Sequence, residues 1–138
     1  MSTERETSYG GVVVRGGDVL VITPAGKGRV RSLPKGGAEA GETGEQTAAR
    51  EVREETGVDA VVRERLGDVR YWYRRGGKRI FKTVRFYLCD YLSGDTADHD
   101  HEVDDAVWIP LERARAELSY PGERQMIERA MSKVPGDR

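Results

Sequence analysis

The segment from Leu33 to Val58 constrains this chain more than any other. Thr43-Gly44-Glu45-Gln46 spells a capping box, in which the Thr hydroxyl and the Gln amide satisfy first-turn N–H groups. Gly57 stands where helices commonly end on a left-handed residue. The spacing predicts a helix from about Gly44 to Thr56. On that helix Glu51, Glu54 and Glu55 are related by i, i+3 and i, i+4, so three carboxylates share one face. Like charges placed this way repel, and a cation among them removes the penalty. Salt bridges from Arg50 and Arg53 are the plainer reading, but each stabilises a helix by only about 0.2–0.5 kcal/mol. Ala48, Ala49, Val52 and Thr56 supply a narrow side for a core to cover.

Around this helix the pattern is mixed. Tyr9–Val14 and Val19–Thr23 read as strands joined by an Arg15-Gly16-Gly17-Asp18 turn. Pro24–Arg31 and Leu33–Gly44 read as loops. Val58–Arg65 and Gly67–Arg74 read as two strands, Arg79–Tyr91 as a long one after Gly76-Gly77, and Val107–Ile109 as a short one. Pro110 suits the first position of a helix through about Leu118. A last helix from Pro121 to about Lys133 puts Met126, Ile127, Ala130 and Met131 on one stripe. The expectation is a mixed α/β (α+β) fold without regular strand–helix alternation. The 138 residues suit one domain over 1–138, with 1–7 and 135–138 loose.

Composition removes several classes. Hydrophobic residues make up 37% and charged residues 34%, with a formal net charge of −1. That balance argues against a general nucleic-acid binder, and no apolar run is long enough to cross a bilayer. A single cysteine, Cys89, and no basic-then-apolar opening fit a cytoplasmic setting. Charge is segregated nonetheless. Gly36–Asp59 holds seven acids and two arginines, Val61–Arg85 nine bases and two acids, and Ser93–Val107 six acids without Lys or Arg. Acids can gather a divalent cation and nearby bases a polyanion; solvated faces are the bland alternative.

Gly36 is followed after five residues by Glu42, and after seven more by Arg50-Glu51-Val52-Arg53-Glu54-Glu55-Thr56-Gly57-Val58. This resembles the Nudix box, G-x5-E-x7-R-E-U-x-E-E-x-G-U with U aliphatic, and every fixed position is filled. With usage of roughly 7% per residue type, the fixed positions coincide by chance about once in 10⁸ start sites. The resemblance implies a Nudix fold, a mixed β-sheet sandwiched between α-helices. It also implies hydrolysis of a nucleoside diphosphate linked to another moiety. The cofactor would be Mg²⁺, with Mn²⁺ as substitute, neutralising the diphosphate and positioning water.

By the same resemblance Glu51, Glu54 and Glu55 bind metal, one of them or Glu102 taking the proton of the attacking water. Arg50 orients the carboxylates through Glu54 or Glu42, a task suited to a guanidinium fork. The Lys35 carbonyl is a further ligand candidate. So is Glu102 outside the box, with Asp104 and Asp105 as competitors. Leu33-Pro34-Lys35-Gly36-Gly37 resembles the subset acting on dinucleoside polyphosphates. Nucleotide-pool sanitising members more often carry Gly where Lys35 stands. Tyr73, with Tyr71 nearby, lies where diadenosine-polyphosphate members tend to have a tyrosine. Substrate-binding candidates are therefore Lys35, Gly36, Gly37, Arg29, Tyr73, Lys82, Arg79 and Tyr120. Lys35 offers a compact cation to phosphate; Tyr120 stacks on a base or packs in the core. Strand alternation leaves about half of the Arg74–Arg85 bases as plain surface. His99 and His101 read as surface, and Cys89 as a buried small hydrophobe.

The expected function is hydrolysis of dinucleoside polyphosphates, with a (d)NTP pyrophosphatase as the enzymatic alternative and a non-catalytic nucleotide sensor as the other. Expected partners are a small nucleotide, no nucleic acid and no membrane. Whether the chain is a monomer or a homodimer stays open.

Overall fold

Two glycine turns organise the sheet. The computed structural model describes residues 2–134; the expected loose tail 135–138 lies outside them. Strands β1 (Thr3–Arg15) and β2 (Asp18–Pro24) form the first expected hairpin. β4 (Val58–Arg75) and β5 (Lys78–Gly94) form the second, turning through Gly76 and Gly77 with φ of 57° and 77°. Both positive values are what a tight hairpin of this hand requires.

Several elements run longer than the sequence suggests. β1 begins at Thr3 rather than Tyr9, because Thr3–Val14 lies parallel to Arg79–Asp90 of β5. The start expected to be loose is thus strand from Thr3 onward. The two strands expected over 58–65 and 67–74 are one, kept in the sheet by register shifts at Val62/Glu64 and Arg65/Gly67. An extra residue bends a strand without ending it. At Gly67 a side chain would run into Arg129 and Met126 of the helix crossing there. β6 (Val103–Pro110) also exceeds Val107–Ile109, pairing antiparallel along β2.

Short β3 (Lys35–Gly37) hangs on β1 at Ser8–Gly10. The main order is β4-β5-β1-β2-β6, mixed because only β1 and β5 are parallel. Helix α1 (Gly44–Thr56) has the predicted capping box at Thr43 and Gln46 and ends on Gly57 at φ 76°. Its Ala48 and Val52 pack on Val13, Leu20, Val58, Tyr87 and Cys89. Helices α2 (Leu111–Glu117) and α3 (Pro121–Met131) cover the other face. They set Leu111, Leu118, Met126 and Ile127 against Val12, Val84 and Phe86. Pro110 caps α2 rather than opening it. The result is the expected mixed sheet between helices, with alternate residues of β1 feeding opposite cores. No helix among the described residues is long and apolar enough to cross a membrane.

Candidate active site

The two cores hold α1 so that its charged face turns to β3 and to the loop before β6. Gly36 makes the closest approach possible. A side chain there would sit directly on the Glu51 carboxylate, so the glycine leaves a seat that Glu51 fills. One residue earlier, the Lys35 N–H donates to Glu55 Oε1 at 2.9 Å. On the opposite flank the Asp100 N–H donates to the Glu54 carbonyl at 3.0 Å, tying the loop to the helix.

Arg50 lies among the acids and spends its donors on them. Nε and Nη2 grip Glu42 at 2.7 and 2.9 Å, and Nη1 reaches both Glu54 oxygens at 3.2 and 3.1 Å. Nη1 also meets Glu51 at 3.3 Å, and Nη2 the Gly37 carbonyl at 2.9 Å. The expectation left Glu42 and Glu54 as alternatives; the structure joins Arg50 to both. Such a fork fixes carboxylate orientation as a point charge cannot.

One guanidinium does not balance this many acids. Burial, followed by the neighbouring Glu54, pushes the Glu51 carboxyl up to about 7. Burial also pushes Glu55 up to about 8, with the Glu51 charge adding to it and the Lys35 N–H opposing. Glu102 bears on Glu51 and Asp100 on Glu55, each disfavouring a further negative charge. Glu42, held by Arg50, goes the other way, down to about 2.

Glu51, Glu54 and Glu55 offer hard oxygen donors for a divalent cation. No three acidic or imidazole residues among the described ones form a closed cage. Ions that keep several waters and take one or two carboxylates plus substrate phosphates do not need one. The donor chemistry and the Gly36 seat therefore fit such an ion.

Beside this cluster lies a cavity of about 690 Å³. Lys35, Val69, Tyr71, Phe86, Tyr120 and Glu123 line it, among others. Tyr71 and Tyr120 are 44% and 43% exposed, so Tyr120 is a cavity wall and not core. The Lys35 ammonium is already engaged, 2.9 Å from Glu123 Oε2 and 2.7 Å from Ser32 Oγ. Buried Glu123 also accepts the Leu33 N–H at 2.8 Å.

Other sequence candidates stand apart from the cluster. Tyr73 donates to Glu6 at 2.6 Å, and Lys82 lies 3.3 Å from the same oxygen. Arg79 stacks on Trp72, 4.6 Å from the ring centroid. Arg29 is exposed in the β2–β3 loop. Asp104 accepts the Gly26 N–H at 3.0 Å and so braces that loop. Sequence reasoning missed Glu123, whose place in the first turn of α3 reads only as a dipole partner. It also passed over Asp100 within the acidic block.

The model of the NUDIX domain matches residues 5–130. The chain belongs to the Nudix family. It is 42% identical over 137 residues to "Putative mutator protein MutT4" of Mycobacterium tuberculosis, covering 93% of this chain and 55% of that protein. It is also 42% identical over 98 residues to the 8-oxo-(d)GTP phosphatase of Mycolicibacterium smegmatis, covering 71% of this chain and 29% of the relative. The chain thus spans little more than half, or less, of these relatives. A Nudix hydrolase structure from Nitrosomonas europaea superposes with a TM-score of 0.76 at 22% identity, over 93% of this chain and 89% of that one. A C. elegans Ap4A hydrolase complex gives 0.73 at 22%, over 93% and 96%. At that identity the two structures bear on the fold alone. Nudix hydrolases generally use a divalent metal.

Proposed function

We propose that this chain is a Mg²⁺-dependent hydrolase cleaving a phosphoanhydride bond of a nucleoside triphosphate, with Mn²⁺ as a substitute ion. The reading is carried by the α1 carboxylates, crowded onto the Gly36 seat beside a cavity walled by two tyrosines. When bound there by Glu51, Glu54 and Glu55, the ion supplies charge neutralisation of the phosphates and activation of water. Arg50 holds the carboxylates in register, and the Lys35 N–H orients Glu55. A carboxylate of the set, Glu102 included, accepts the proton of the attacking water. Tyr71 and Tyr120 offer ring faces to a single base, and Phe86 and Val69 exclude water from it.

Dinucleoside polyphosphates are the second reading, favoured by Lys35 within Leu33–Gly37. A longer phosphate chain calls for unengaged cations, yet Glu123 holds Lys35 and Glu6 holds Lys82. The mycobacterial relatives, a mutator protein and an 8-oxo-(d)GTP phosphatase by name, support the triphosphate.

The test is anion-exchange product analysis with Mg²⁺ over dGTP, 8-oxo-dGTP, ATP and diadenosine tetraphosphate. A triphosphate should be preferred by about tenfold or more in kcat/KM, a difference of about 1.4 kcal/mol in transition-state binding. Glu54→Gln should lower its turnover about 10²- to 10⁴-fold. Preference for the dinucleotide overturns the triphosphate in favour of the second reading. No turnover of any substrate leaves a nucleotide sensor.

A further inference from the structure

On the α1 side the sheet runs on past the helix N-terminus with Arg5, Trp72, Arg74 and Arg79 exposed. Tyr9 and Tyr87 pack against Gly44, the first helical residue. Beyond them β1, β5 and β4 continue as three strands to the Gly76-Gly77 turn. The two faces of this extension differ sharply. Cross-strand register puts Glu4, Glu6, Ile80, Lys82, Tyr71 and Tyr73 on one face. There acids meet bases, Glu6 with Arg75 and Lys82, and Glu4 with Lys78.

The opposite face carries Arg5, Phe81 and Trp72 in one row, Arg79 and Arg74 in the next, and Arg70 beside Thr83 and Thr7. Trp72 is 51% exposed, and its ring lies 4.9 Å from that of Phe81. The Arg79 guanidinium stands 4.6 Å from the Trp72 centroid, and that of Arg5 stands 5.5 Å from Phe81. The acid at its border is Asp68, shared by Arg65, Arg70 and Arg85. Among the described residues no carboxylate lies within ion-pair distance of Arg5, Arg74 or Arg79.

We propose that this face binds single-stranded nucleic acid. Phosphates sit on Arg5, Arg74 and Arg79, and bases stack on Trp72 and on the guanidinium planes beside it. Flat rings set among arginines suit unpaired bases, whose faces are available, and not a duplex, whose faces are stacked away. A second copy is disfavoured because a two-fold contact would lay arginines on arginines. The near-neutral net charge does not oppose the reading, since the balancing acids lie on α1 and in Ser93–Val107. The nucleotide cavity opens on the Tyr71 side of β4; Asp68 and Arg70 reach its rim, while Arg5, Trp72, Arg74, Arg79 and Phe81 do not line it.

The experiment is fluorescence anisotropy with a labelled oligouridylate of about 12 nucleotides, lacking a 5′ phosphate and measured in EDTA so that hydrolysis plays no part. Binding should weaken with salt at a log–log slope of about −2, for three phosphate contacts. Trp72→Ala should weaken it about fivefold or more through lost stacking. Arg5→Glu should weaken it and flatten the slope, and both variants should keep wild-type melting and nucleotide turnover. Absence of binding at low salt overturns the proposal, as do variants that bind like wild type or a duplex bound as well as the single strand. A dimer in sedimentation that Trp72→Ala dissolves would assign the face to a second copy instead.

Discussion

Glu6 and Glu51 sit on the same small molecule under opposite electrostatic conditions. Glu6, on the outer part of β1, accepts from Tyr73, Arg75 and Lys82 and is pulled down to about 2. Glu51 on α1 is pushed up to about 7 by burial and by Glu54. Along β1, β4 and β5 bases outnumber acids, and every acid meets at least one base. Around α1 the fold gives Arg50 alone to Glu39, Glu42, Glu51 and Glu54. Acids satisfied in place hold structure together. Acids left crowded and desolvated await a charge from outside, and perturbed carboxylates of that kind mark sites of chemistry.

The strongest way to break this contrast is to neutralise one carboxylate in each region. Glu51→Gln should lower kcat/KM about 10²- to 10⁴-fold and at the same time raise the melting temperature of the metal-free protein. Differential scanning calorimetry in EDTA beside an initial-rate assay checks both; a lower Tm would show that Glu51 is satisfied after all. Arg50→Lys comes next. It keeps the charge but loses the fork, so activity should drop about 10- to 100-fold, as for partners that orient metal ligands. Wild-type kcat/KM in that variant would reduce Arg50 to a surface bridge.

The pH dependence sharpens the comparison, because the two sets have opposite signs. Glu51 and Glu55 have folded values of about 7 and 8 against an ordinary 4.5, so the folded chain holds protons that the unfolded chain has released. Their contribution is most favourable below about 4.5 and is lost as pH rises toward those folded values. Glu42 and Glu6, at about 2, contribute above 4.5 and lose that contribution as pH falls toward 2. The metal-free Tm should therefore decline between about pH 5.5 and 8.5, and Mg²⁺ should raise it more at the upper end. A flat metal-free curve would contradict the crowding of α1. The smallest effect belongs to Glu6→Gln, which should lower Tm slightly, weaken the acid limb and leave kcat/KM unchanged.

How much of this was legible in the chain varies with the range of the interaction. α1 could be read to its ends because a capping box and a C-terminal glycine are local devices, each settled within four residues. That Glu51, Glu54 and Glu55 share one face followed from helical periodicity. Strand lengths did not follow. That Thr3–Thr7 joins the sheet depends on Arg79–Thr83 lying alongside, a partner some seventy-five positions away. The unbroken β4 depends on bulges that only its pairing with β5 reveals. Lys35 shows the same limit at the site. The sequence offers it as a phosphate cation, and Glu123 from the last helix claims it. The sequence offers Tyr73 and Lys82 as substrate contacts too, and Glu6 of the first strand takes both.

The sequence by itself determined a capped helix with three glutamates on one face, and with it the family and the chemistry that family performs. Tertiary structure alone decided which charges are spent on one another. Ion pairing falls off over a few ångströms of space, and neighbours in space here come from opposite ends of the chain. It likewise decided that Tyr71 and Trp72, adjacent in sequence, serve opposite faces, because a strand sends successive side chains to different sides and only packing says what each side meets.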